Sequence, residues 1–172
     1  MKKASIKRLT KIAILIAVLC VGAQISLPTI FLVPITIQPL LVGIVGFLLP
    51  RRDALFCLLG YILIGAIGVP VFANFGGGLG TLFGYTGGFI FGFIPLVLLC
   101  TFGRGWLKIF FAILGVILCH LMGVIQYSII ARLPFLTSFL SMSLPYIFKD
   151  FALVILAYFF AKLVKRKLKR QD

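Results

Sequence analysis

V-P-V-F-A-N-F-G-G-G-L-G-T-L-F-G-Y-T-G-G, running from Val69 to Gly88, holds seven glycines and no charged residue. It joins two apolar runs, each long enough to reach across a lipid bilayer. Glycine costs conformational entropy on folding, so glycine in such numbers belongs where backbone must approach something closely. Irregular backbone at membrane depth persists only when it is buried in protein or lines a cavity. The segment therefore reads as one wall of a small-molecule site. A long outer connection between two helices would have the same composition.

Outward from that segment the class is plain. The chain is 62% hydrophobic, has no Glu, and its three acids are Asp53, Asp150 and Asp172. Soluble domains carry about a quarter charged residues; this chain carries 12%. It reads as an integral membrane protein forming one unit, because no charged or Ser/Pro-rich stretch is long enough to be a linker or a soluble domain.

Since a spanning helix needs about 20 mostly apolar residues, the expected spans are 9–27, 34–49, 54–73, 85–102, 107–131 and 143–164. The fold class is thus an all-α bundle of six transmembrane helices, with five spans plus a re-entrant piece as the alternative. Fifteen of the seventeen basic residues fall on one side of this arrangement. They stand before the first span (Lys2, Lys3, Lys7, Arg8, Lys11), between the second and third (Arg51, Arg52), between the fourth and fifth (Arg104, Lys108), and at the end of the last (Lys162, Lys165, Arg166, Lys167, Lys169, Arg170). Arg132 and Lys149 fall on the other side. Positive residues stay cytoplasmic. Both termini are therefore expected inside, with Val69–Gly88 opening outward and a multi-pass location in the cell membrane. The basic start with its apolar run mimics a signal peptide, but reads here as a retained first span. The net charge of +14 flanks spans, which suits anionic lipid and offers nucleic acid no soluble basic face.

Catalytic and metal-binding patterns are missing from the sequence. Cys20, Cys57, Cys100 and Cys119 lie inside spans without the close spacing of a metal site. No G-K-[ST] follows the glycines, Phe83 breaks the dinucleotide fingerprint after Gly78-Leu79-Gly80, and neither HExxH nor a Ser–His–acid set is evident. The chain reads as a non-enzyme without a cofactor.

Polar residues at the outer end carry what chemistry there is. Asp150 sits about two turns into the last span, with Asp53 in a cytoplasmic turn. An intramembrane carboxylate costs roughly 2.5–3.5 kcal/mol at mid-depth and usually has a functional partner. Lys149 could be that partner at the interface, although neighbours on a helix point apart. Asn74 either offers an amide to a ligand or caps a turn. Gln38, Thr36, Tyr85, Thr86, Gln126 and Tyr127 could line a cavity or make structural hydrogen bonds. His120 reads as a packed interhelical residue, with Tyr127 on the same face as a bonding partner. Gly84, Gly88 and Gly92 recur every four residues as a packing face, and Ala13 and Ala17 form a small-x-x-x-small step on the first span, open to an external partner.

Gly22-Ala23-Gln24-Ile25, Val33-Pro34-Ile35-Thr36-Ile37-Gln38, Gly65-Ala66-Ile67-Gly68-Val69-Pro70-Val71-Phe72-Ala73-Asn74-Phe75 with Gly77-Gly78, and Thr86-Gly87-Gly88-Phe89 together resemble the BioY family. These are the biotin-binding S components of energy-coupling-factor (ECF) transporters. The resemblance runs in order from about residue 9 to 165. It implies a six-helix bundle with a vitamin pocket near the outer surface, covered by a gated loop between the third and fourth helices. It also implies that Asn74 and Asp150 contact the biotin ureido ring; Gly77, Gly78, Tyr85, Gln38 and Lys149 are the further candidates for the substrate site. Ala13 and Ala17 resemble the surface turned toward an EcfT-like transmembrane protein, which two ABC-type ATPases energise. Gly84-Tyr85-Thr86-Gly87-Gly88 departs from the family's Gly-Pro-Thr-Gly-Gly. Leu153 replaces a lysine three residues after Asp150, so the biotin carboxylate falls either to Lys149 or to hydroxyl and backbone donors. The rival expectation is an ion-coupled secondary transporter of a small organic solute, with Asp150 as its proton or cation site; no inverted repeat is evident.

Overall fold

Prolines and glycines set where the helices stop. In the computed structural model, which describes residues 2–27 and 34–168, α1 spans Lys2–Gly22 and a two-residue strand β1 follows at Ser26–Leu27. β2 (Ile35–Thr36) pairs with it antiparallel, Ser26 opposite Thr36 and Leu27 opposite Ile35. Pro39 stands in the first turn of α2 (Gln38–Leu48), where its missing N–H is no loss. Pro50 separates α2 from α3 (Arg51–Ala66). A short 3₁₀ turn at Ala73–Phe75 and a one-turn α4 (Leu79–Leu82) lead to α5 (Gly87–Cys100). α6 (Leu107–Ala131) ends at Arg132 in left-handed conformation, Pro134 opens α7 (Phe135–Met142), and α8 covers Leu144–Leu168. Val33, Lys169, Arg170 and Asp172 lie outside the described residues.

The chain is mostly helical, and α2 lies at the centre. Nine of its eleven residues are buried, as befits a helix apolar on every side. Glycines let its neighbours in: a Cβ on Gly43 would stand 2.9 Å from Ala157 Cβ of α8, and one on Gly46 would stand 2.6 Å from the Val97 carbonyl of α5. α5 and α6 form the most extensive pair. A Cβ on Gly88 would meet the Met122 carbonyl at 2.4 Å, and one on Gly92 would meet Cys119 Cα at 2.7 Å. Backbones that close gain dispersion contact where lipid offers no hydrophobic drive.

Several expectations change. α3 stops at Ala66, short of the expected end at 73, because Gly68 turns the chain at φ +102°. Gly84 precedes α5, so the packing face on α6 begins at Gly88. Asp53 sits in the first turn of α3, not in a connecting turn; there it complements the helix dipole and pairs with Arg8 (Nε to Oδ1 2.8 Å). α7 was not anticipated, since an eight-residue helix beside long apolar runs leaves no span-length signal. Among the described residues, α6 is the one helix long and apolar enough to cross a membrane by length and composition; α2 and α5 are apolar but shorter.

The bundle has two distinct ends. At one, Arg8 meets Asp53, Arg51 lies over Phe102 (4.5 Å), and Lys108 lies over Phe47 (5.9 Å). This gathers the start of α1, the α2–α3 and α5–α6 connections and the end of α8, where the basic residues cluster. The strand pair, the glycine-rich segment and Asp150 lie at the other.

Candidate functional site

At the end away from the basic cluster, five pieces of chain enclose a cavity of about 200 Å3. They are the β2–α2 junction, the glycine-rich segment at Phe72–Asn74 and Thr81, the starts of α5 and α8, and the middle of α6 at Cys119 and His120. Phe89, Ile90 and Phe93 of α5 and Phe72 supply its apolar wall. Lys149, Asp150 and His120 supply its charge and polarity.

Asp150 is 8% exposed, so its carboxylate must be satisfied by protein or ligand. Oδ2 lies 3.0 Å from His120 Nε2, and His120 Nδ1 lies 2.9 Å from Ser143 Oγ. A neutral imidazole with its proton on Nε2 serves both bonds, donating to Asp150 and accepting the Ser143 hydroxyl. Phe89 holds the ring edge-on, centroids 5.6 Å apart. Oδ1 lies 2.5 Å from Lys149 Nζ, an ion pair across neighbouring residues, and is itself shielded from solvent. Lys149 Nζ, with three N–H groups, also donates to the Thr36 carbonyl at 2.8 Å. The expectation that Lys149 and Asp150 turn away from each other is therefore corrected. Their Cβ vectors diverge, but the flexible four-carbon stem of lysine folds back. The expected His120–Tyr127 bond is also absent, since the ring nitrogens face Asp150 of α8 and Ser143, which lies between α7 and α8.

The loop is seated by polar clamps. Gln24, just past α1, donates from Nε2 to the carbonyls of Pro70 and Phe72 (both 3.2 Å) and accepts from the Phe75 N–H at 3.0 Å. Ser26 Oγ donates to Asn74 Oδ1 at 2.8 Å and accepts the Asn74 N–H at 3.1 Å. These bonds hold Asn74 and Phe75 together at positive φ, 55° and 57°. That region is uncommon for a bulky residue such as Phe and marks local strain. Phe72 turns inward and is fully buried, edge-on to Tyr61 at 5.5 Å. The Gly78 N–H donates to the Gly65 carbonyl (2.7 Å), and Gln126 Nε2 donates to the carbonyls of Leu82 (2.9 Å) and Gly84 (2.8 Å).

The structure thus brings Gln38, Asn74, Lys149 and Asp150 to one cavity, with Thr36 and Thr86 beside them. Gln38 is also part of the frame: its Nε2 donates to Tyr61 Oη (2.9 Å), which donates to the Val71 carbonyl (3.0 Å). Gly77, Gly78 and Tyr85 lie outside the lining. The two glycines seat the loop on the end of α3, and Tyr85 is exposed against Tyr127, centroids 5.7 Å apart. Ala13 and Ala17 lie on the exposed face of α1.

Comparison with known proteins decides the family, for residues 1–170 match the BioY family. The chain belongs to the BioY family. BioY relatives include the probable biotin transporter BioY of Pyrococcus horikoshii, 35% identical over 68% of this chain and 72% of that one. The biotin transporter BioY2 of Lactococcus lactis is 38% identical over 63% of this chain and 59% of its own length. The biotin transporter BioY of Thermotoga maritima is 43% identical over about half of each chain. A solved structure, the S-component for biotin from an ECF-type ABC transporter, has the same fold with TM-score 0.89 and 23% identity, covering 96% of this chain and 94% of that one.

Sequence reasoning passed over Ser143, Ser26 and the Phe89–Phe93 pair in this BioY chain. The phenylalanines stand four apart on α5, a spacing shared by every helix face packed on a neighbour. Ser143 becomes visible only when α7 and α8 fold its hydroxyl onto His120.

Proposed function

We propose that this chain is the substrate-capturing S component of a biotin uptake transporter, embedded in the cell membrane as a multi-pass bundle with both termini cytoplasmic. The carrying observation is the buried Asp150, which lines a walled cavity with His120 on one carboxylate oxygen and the Lys149 ammonium against the other. A cyclic urea presents N–H donors and a carbonyl side by side. Asp150 accepts its N–H groups, and the Asn74 amide meets the other edge once it leaves Ser26. Lys149, the cation nearest Asp150 among the described lining residues, answers the ligand's carboxylate. The opposite polarity of the two bundle ends supports the orientation, since basic residues stay on the cytoplasmic side.

The chain acts as a binding and transport protein, without catalytic chemistry of its own, and an EcfT-like membrane protein with two ABC-type ATPases drives release. Ala13 and Ala17, small and exposed on α1, support a close helix contact with that partner.

Calorimetric titration of purified protein with biotin, using riboflavin and thiamine as controls, tests the reading. Saturable binding of biotin alone supports it, and a folded sample that ignores biotin overturns it. Uptake in cells separates it from the ion-coupled rival. Dependence on ATPase partners supports the capture role, whereas collapse by an uncoupler with indifference to those partners supports Asp150 as a coupling site.

A further inference from the structure

A second groove of about 280 Å3 lies at the basic end of the bundle. Its apolar floor is Phe47 of α2 with Tyr158 and Ala161 of α8. Lys108 of α6 and Lys162, Lys165 and Arg166 of α8 line the rest. The cations are drawn over the floor: Lys108 Nζ lies 5.9 Å from the Phe47 ring centre and Lys162 Nζ 6.0 Å from that of Tyr158. Lys108 and Lys165 are close enough to repel each other.

Among the described residues no acid is placed to neutralise them. Asp53 is held by Arg8, Asp150 lines the other cavity, and Asp172 lies outside the described residues. The negative end of α8 favours the basic residues of its last turn, but it amounts to about half a charge. Four cations therefore converge on an apolar recess with no acid among its lining residues. The neighbouring turns of α6 and α8 expose Trp106, Phe110, Phe159 and Leu163. A headgroup in the groove would thus have apolar surface beside it for acyl chains.

We propose that this groove is a binding site for an anionic phospholipid, its phosphate among Lys108, Lys162 and Lys165 and its chains along the exposed apolar turns of α6 and α8. The charge calls for an anion, and the apolar floor and flanks select one that carries hydrocarbon. Basic pockets between helices on the cytoplasmic side of a membrane suit such headgroups. The site rests on the membrane reading of the bundle and is independent of what the other cavity binds.

The test uses the full chain in nanodiscs of equal parts phosphatidylcholine and phosphatidylglycerol, with retained lipid read by native mass spectrometry. The expected result is enrichment of phosphatidylglycerol, lowered about tenfold or more when Lys108, Lys162 and Lys165 are all changed to Gln, since basic residues near the surface hold anionic lipid. Changing Lys7, Lys11 and Arg52 to Gln removes equal charge elsewhere on the same side and should leave the enrichment in place. The triple Lys→Arg variant of the groove should retain it and guards against misfolding of the Gln variant. No enrichment, or an equal loss in the control variant, overturns the proposal. So does competition by inorganic phosphate at a concentration that leaves ionic strength unchanged, because the groove would then hold a free anion. Enrichment that appears only with an acidic partner protein bound would assign the groove to that protein and overturn the lipid site.

Discussion

Asp150 and His120 carry the residue-scale argument. Hydrogen bonds to a charged group contribute about 1.5–3 kcal/mol each. Asp150→Asn should therefore weaken biotin binding by roughly tenfold to a hundredfold while the bundle stays folded; calorimetry beside a thermal melt checks both halves. His120 acts through Asp150, donating from Nε2 while Ser143 fixes its other nitrogen. His120→Ala should lower affinity by about tenfold, the effect of one hydrogen bond to a charged group. Ser143→Ala should leave the Nε2 bond in place with a looser tautomer. Imidazole nitrogen shifts in labelled protein should then show the Nε2–H form in the parent and a mixture in the variant. A single unchanged form in Ser143→Ala would rule out the orienting role of the hydroxyl. Asp150 was visible in the sequence as an acid inside an apolar run. Lys149 was visible beside it, but the bond from His120 was not, because a hydrogen bond across thirty positions leaves no local pattern.

Among the elements, the glycine-rich loop is the one built to be seated. Its anchor is the Phe72 ring against Tyr61 and Gly65, where a Cβ on Gly65 would stand 2.1 Å from the ring. Gly65→Ala must displace Phe72 or bend α3, and overpacking of that kind costs about 1–3 kcal/mol. The expected outcome is a loop cleaved faster by protease and a weaker ligand, with α5 and α6 still protected in hydrogen exchange. Gln24 offers a separate test. Its amide bridges α1 to Pro70, Phe72 and Phe75, so Gln24→Ala frees the carbonyls and relaxes the positive φ at Phe75. We expect faster ligand exchange, read by stopped-flow, with a smaller change at equilibrium than Asp150→Asn produces. Equal on- and off-rates in parent and variant would show that the clamp does not restrain the loop. The glycines between Val69 and Gly88 signalled this element, but its internal order did not show: Gly77 and Gly78 shape the seat, while Phe72 faces the cavity.

For the whole molecule, the proposed orientation rests on charge. The start of α1, the α2–α3 and α5–α6 connections and the end of α8 meet at one end, and the cavity around Asp150 lies at the other. Labels attached at both termini should react only after the inner face of the membrane is opened, while a cysteine placed at Phe75, 71% exposed in the loop, should react from outside. The opposite pattern would invert the proposed direction of capture. What the sequence determined by itself was the helical class, the clustering of its cations and the placing of Asp150 as an acid inside an apolar run. These follow from composition and local spacing, which any window of the chain reveals. Only the tertiary structure decided that α2 is central, that Lys149 folds back on Asp150, and that His120 and Ser143 complete its surroundings. Those facts depend on which helix faces meet, and here glycine-permitted backbone contact between distant segments sets the meeting.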